Sequence, residues 1–301
     1  MPDAPKWAGL LLAAALLAAC KGEPEAIPGA PNEPVAAVEA LADALRDGDL
    51  ARYSALSLPP ALQAQRAVLW RQQMDAAAPA DEANAERYAS LMAEMLAPEA
   101  EAALWAKAEP RLATMEQELG PRWTMGVTML SGFASAAIAS DERLSEAEKG
   151  HASGVLNAFA AWAGDQAAFT NREHARQALA IAVQTARELD LPTVDAMRAL
   201  DYDPMLEKAG IAFRGAKAMA AVYGLDADAA LGEITAEVIE LDGARALVRV
   251  RYPLLGDEVV FEQPMLQIDG GWYREDAVRE LEATLAAAPL ALPTSAAAPT
   301  P

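Results

Sequence analysis

The sequence predicts an α+β fold in which helices dominate, a multi-helix domain with a small C-terminal antiparallel β-meander and a final helix. Three observations carry this. From residue 35 to about 225, apolar side chains recur at the i, i+3, i+4 spacing of amphipathic helices. From residue 234 the period drops to two, and Ile234, Ala236 and Val238 alternate with Glu233, Thr235 and Glu237. Asp-Gly turns then divide the remaining strands, at Asp242-Gly243 and Asp269-Gly270.

The elements follow in order. Val35, Val38, Leu41, Ala42 and Leu45 share one face of an opening helix. Asp47-Gly48-Asp49 stops it, because Gly48 suits the left-handed position after a helix and Asp49 can cap the next turn. Leu50, Tyr53 and Leu56 continue to Pro59-Pro60, and a helix over 61–75 turns Leu62, Leu69 and Trp70 inward. Tyr88, Leu91, Met92, Met95 and Leu96 form the next stripe, capped by Asp81. A helix over 99–118 follows, with Pro110 marking a restart. Residues 123–140 contain no charge. They are short of the ~20 residues that span a bilayer and are diluted by Thr, Ser and Gly, so they read as a central helix wrapped by its neighbours in a soluble bundle. Helices over 145–163 and 171–189 come next, the second opened by Thr170-Asn171-Arg172-Glu173, which matches a capping box. A short helix near 193–200 and a longer one over 204–223 lead to a stop at Gly224.

In the sheet, Ala246, Val248, Val250 and Tyr252 alternate with Arg245, Arg249 and Arg251. A three-residue loop, Leu241-Asp242-Gly243, pairs Val238 with Ala246, Ala236 with Val248 and Ile234 with Val250, and it keeps the apolar face together. A third strand covers 258–268, where Pro264 suggests an edge or bulge. Trp272-Tyr273-Arg274 is a short fourth strand, and a helix over 276–286 ends the fold.

The first residues, MPDAPKWAGLLLAAALLAAC, hold an uncharged run from Trp7 to Ala19, the length of an export-signal core. Leu17-Ala18-Ala19-Cys20 resembles the lipobox of bacterial lipoproteins, in which the cysteine thiol is acylated after cleavage. The resemblance implies a signal peptide over 1–19 and a lipid on Cys20, the only cysteine in the chain, with no other cofactor. More than one acyl chain, at ~0.8 kcal/mol per buried CH₂, makes such an anchor stable. Residues 20–34 are then a lipidated, Pro-rich tether. By the sorting rule of the lipoproteins it resembles, in which Asp after the cysteine retains the protein at the inner membrane, Lys21 implies the inner leaflet of the outer membrane, facing the periplasm. The Pro/Ala segment 288–301 reads as a disordered tail.

Between these ends lie a helical region over 35–225 and a meander plus helix over 226–287. Pro34 to Leu58, with its run into Gly-Asp, and Ile239 to Ala277, with DGARALVRVRY and IDGGWYREDA, resemble the two ends of NTF2-like (cystatin-like) modules. The resemblance implies a cone between helix and sheet, and Tyr252, Phe261 and Trp272 are candidates to line it around an apolar ligand. The intervening helices are either an insertion into that module or a separate domain.

Composition narrows the function. Lys and Arg total 24 against 44 Asp and Glu, a net charge of −20, which excludes the basic footprint of a nucleic-acid binder. Two histidines and one cysteine leave little for a zinc site. His151, two residues before Ser153, has no triad spacing and reads as a surface residue near a helix start, and His174 reads as a solvated first-turn residue. Asp201-Tyr202-Asp203 and Asp226-Ala227-Asp228 read as caps rather than cation ligands. The Met and Trp residues at helical spacing (Met92, Met95, Trp105, Met115, Trp123, Met125, Met129, Trp162) read as core. The expected function is a non-catalytic binding or assembly module on the membrane, with an envelope protein or a small ligand as partner. A carrier of a small apolar ligand in the cone is the alternative, and an acid–base enzyme is a weaker one.

Overall fold

The computed structural model describes residues 30–119, 122–142 and 144–287. Cys20, the signal segment, most of the tether and the 288–301 tail lie outside the described residues. The helices are α1 Pro34–Asp47, α2 Leu50–Ser57, α3 Pro60–Ala76, α4 Glu82–Leu96, α5 Ala100–Leu119, α6 Trp123–Ser140, α7 Glu146–Ala163, α8 Gln166–Thr170, α9 Arg172–Leu189, α10 Val194–Arg198, α11 Tyr202–Val222, α12 Ala227–Gly232 and α13 Glu275–Ala287. One antiparallel sheet, in the order β1-β2-β3-β4, is built from β1 Thr235–Asp242, β2 Arg245–Leu254, β3 Asp257–Ile268 and β4 Gly271–Arg274. The fold is therefore α+β and mainly helical, with the meander and last helix at its C-terminal end.

Local chemistry explains most boundaries. Gly48 ends α1 at φ +66°, and the Asp49 carboxylate accepts from the Arg52 amide at 2.8 Å to start α2. Asp81 caps α4 in the same way. Pro110 is accommodated inside α5, which does not restart there. The capping box lies at Ser145 and Glu148, opening α7. At α9 the cap is Asn171 alone, whose side chain accepts from Glu173 and His174 amides. Asp226 caps α12, whereas Asp201 makes no capping bond and faces Arg71 instead.

The hairpin register differs from the sequence expectation. The β1–β2 turn has two residues, Gly243 and Ala244, so Asp242 pairs with Arg245 and Val238 with Val248. Gly243 takes φ +57°, and the positive first position fits a type II′ hairpin turn. A bulge at Ile239 restores the apolar alternation that such a turn would otherwise invert. The buried face then lies on β2, at Ala246, Val248 and Val250, while Val238 near the hairpin tip stays 39% exposed. Arg249 and Arg251 share Glu237 on the opposite face.

The two ends of the described chain pack together. Ala37 and Val38 of α1 join Val248, Val250, Met265 and Trp272 in one core cluster. The Trp272 amide and indole donate to the carbonyls of Pro31 and Asn32. On the sheet's other face, Tyr273 meets Leu58 of the α2–α3 link, Leu69 of α3, and Val278 and Leu281 of α13. Lys217 of α11, 8% exposed, donates to the carbonyls of Leu45 and Arg46 and to Asp228. It thereby satisfies carbonyls at the end of α1. Burying that charge is tolerable because its donors are paired.

Candidate functional site

β4 pairs only with residues 265–268 of β3, so among the described residues the edge of β3 before Met265 has no strand beside it. Pro264 sits where this pairing ends, at a position where no amide is demanded of it. The start of α7 and the start of α13 flank this stretch and leave a groove of about 700 Å³. His151 and Glu148 come from α7, Phe261 and Gln263 from β3, and Arg274 and Asp276 from the β4–α13 junction. Phe261, Gln263 and Arg274 also border a smaller space of about 120 Å³ beneath α1.

Two side-chain systems face this groove. In the first, the imidazole of His151 stacks on Phe261 with ring centroids 4.4 Å apart. Its Nε2 lies 2.9 Å from the Tyr252 hydroxyl in one hydrogen bond. Burial lowers the His151 pKa and raises that of Tyr252, so both are neutral at neutral pH. In the second, Arg274 holds Asp276 through Nε at 3.2 Å and through Nη2, and its Nη1 donates to the Tyr53 hydroxyl at 2.6 Å. The Gln263 amide also donates to Asp276, at 3.3 Å. Burial opposes the charge on both members of the pair. For Asp276, the hydrogen bond and charge of Arg274, with the Ala277 amide and Gln263, outweigh it and hold the carboxyl below the ordinary carboxylate range. For Arg274, the same partner and Tyr53 keep the guanidinium charged.

The three aromatic candidates separate. Phe261 lines both spaces, and Tyr252 reaches the groove through His151 and stands edge-on to Phe261 at 6.2 Å. Trp272, 4% exposed, is packed into the core beside Ala37 and Val38. His151, which reads as a surface residue from its sequence neighbours, is half-buried against the sheet. Its partner is a strand residue about a hundred positions away, beyond the reach of local pattern. Gln263, Arg274 and Asp276 carried no sequence signal beyond a polar residue on an apolar strand face and an Arg-Glu-Asp run. His174 contacts the Ala168 carbonyl and stands edge-on to Tyr223, away from this groove. Among the described residues, no cluster of three or more His, Cys, Asp or Glu side chains is placed to hold a metal ion.

The arrangement can bind. Arg274 has five N–H donors, of which three are used in the bonds above, and Phe261 offers an apolar wall beside it. A ligand with a flat or apolar body and one acceptor group meets both. No protein family, curated protein or solved structure matches the chain.

Proposed function

We propose that this protein is a lipid-anchored envelope protein, held through Cys20, that works without catalysis as a binding or assembly module. The observation that carries the reading is the way the groove uses its ionisable groups. Arg274 and Asp276 neutralise each other, and His151 is bonded to a neutral phenol, with no carboxylate bonded to its ring among the described residues. Such groups suit recognition, whereas a general base is poised near its operating pH by an orienting partner. The space beneath α1, about 120 Å³, is below the ~300 Å³ from which small-molecule sites begin. Its size favours binding at the larger groove over a carrier that holds an apolar ligand beneath α1. In-cell photocrosslinking tests the reading. A photoreactive residue at Arg279, on the groove rim, should give a discrete adduct that Phe261→Ala removes. The same probe at the remote Glu118 should not. Identical diffuse adducts from both positions would refute binding at the groove.

A further inference from the structure

Helix α6 stands apart from the other long helices. None of its residues is buried. Trp123, Val127, Ser131, Ala134 and Ile138 form the stripe turned toward α7, and the rest of its surface is open. Met125 (62%), Met129 (58%), Leu130 (70%) and Phe133 (67%) are exposed. The expectation that this segment is wrapped by its neighbours fails, because only α7 covers it extensively. Yet no helix of the described residues is long and apolar enough to cross a membrane.

What covers this face is indicated by its own pattern. Met125, Met129, Gly132 and Ala136 are spaced 4, 3, 4, the seam spacing of paired helices, opposite the α7 stripe. The large members lie in the first half and the small ones in the second. An antiparallel copy therefore sets Met125 against Ala136 and Met129 against Gly132, whereas a parallel copy sets Met on Met and leaves small residues facing each other. A side chain built at Gly132 meets nothing within 4 Å, so the fold itself does not require glycine there. The end charges point the same way. Arg122 starts the helix and Glu142 follows its end, the reverse of what the helix dipole favours. Neither forms an ion pair among the described residues, and antiparallel pairing brings each within a turn of the other's counterpart. Two chains of net charge −20 repel, and these 18 uncharged residues let them approach without direct like-charge contact.

We propose that two copies of this chain pair antiparallel through α6, Met129 of one against Gly132 of the other. This deepens the assembly part of the function proposed above and rests on it, while the groove crosslinks test that reading separately. The experiment uses the full chain, expressed in two tagged versions in one cell, one Met129→Cys and the other Gly132→Cys, followed by mild oxidation. A disulfide needs Cβ atoms within about 4.5 Å, so only facing positions bridge. The mixed dimer should exceed either homodimer several-fold, with the wild-type chain as the Cys20 control. Adding Phe133→Asp to both versions should abolish it while the chain keeps its helical circular dichroism, since Phe133 is exposed in the single chain. A dominant Met129→Cys homodimer would overturn the antiparallel geometry. Absence of any bridge would overturn the pairing. If the same cysteines were then shielded from a membrane-impermeant maleimide, a lipid surface would be the cover instead.

Discussion

His151 is the residue whose charge the fold controls most visibly. Its pKa is lowered by burial against Phe261 and Tyr252, so the folded state prefers the neutral ring. The stabilisation this brings is complete above the ordinary histidine pKa of about 6.5 and is lost as pH falls below it toward the folded value. The urea midpoint should therefore drop between about pH 7.5 and about pH 5.5, and His151→Gln should flatten that drop. An unchanged slope in the variant would place the titration elsewhere. Asp276 does not confuse the comparison, because its lowered pKa puts its loss of stabilisation at more acid pH. Gly243 gives a second residue-scale prediction. At φ +57° a β-branched side chain is strained, so Gly243→Val should cost roughly 1 kcal/mol or more. Asp242→Asn, in the adjoining strand position, should be nearly silent. Thermal melts of both variants decide it, and equal small shifts would contradict the turn.

At the scale of elements, local signals were legible and long-range ones were not. Gly48 and Asp49 fix the α1–α2 break because one glycine and one carboxylate suffice there. The hairpin register differs from the one alternation predicts because the Ile239 bulge is set by the sheet, and sequence alternation alone does not reveal it. α5 runs through Pro110 although proline there removes an intrahelical hydrogen bond, and nothing in the sequence around it signals that continuity. Helix α6 looked like core because composition does not say which faces have partners. Of the candidate site, only the aromatic residues of the strands were legible, since Arg274 meets Tyr53, and His151 meets Tyr252, through tertiary packing alone. Close crossings are equally invisible in sequence. A Cβ at Gly210 would come 2.7 Å from the Gly48 carbonyl oxygen, which is backbone and cannot rotate away. Gly210→Ala should therefore destabilise by about 1–3 kcal/mol, the range for overpacking, in spite of alanine's better helix propensity. Lys217→Met removes the donor from two α1 carbonyls and should cost about 2–3 kcal/mol, with Asp228→Asn costing less because that carboxylate is mostly exposed. Urea titration reads both, and a stabilised Gly210→Ala would mean the helices do not cross so closely.

Over the whole molecule, the segment following the tether and the C-terminal sheet are bound into one unit, since the carbonyls of Pro31 and Asn32 receive the Trp272 donors and α1 lies on the sheet. An anchor at Cys20 would thus be only about ten residues from the described fold, close enough to hold the groove near the membrane surface. The net charge of −20 would keep the domain off an anionic lipid face, leaving the acyl chains as the attachment. The most direct measurement is the mass of the N-terminal peptide of the mature protein, taken from membrane fractions of wild-type and Cys20→Ser cells. The wild-type chain should begin at Cys20 and carry acyl chains. The variant should be unprocessed at that position or released from the membrane. A wild-type chain cleaved elsewhere, or a Cys20→Ser chain still processed and membrane-bound, would contradict it.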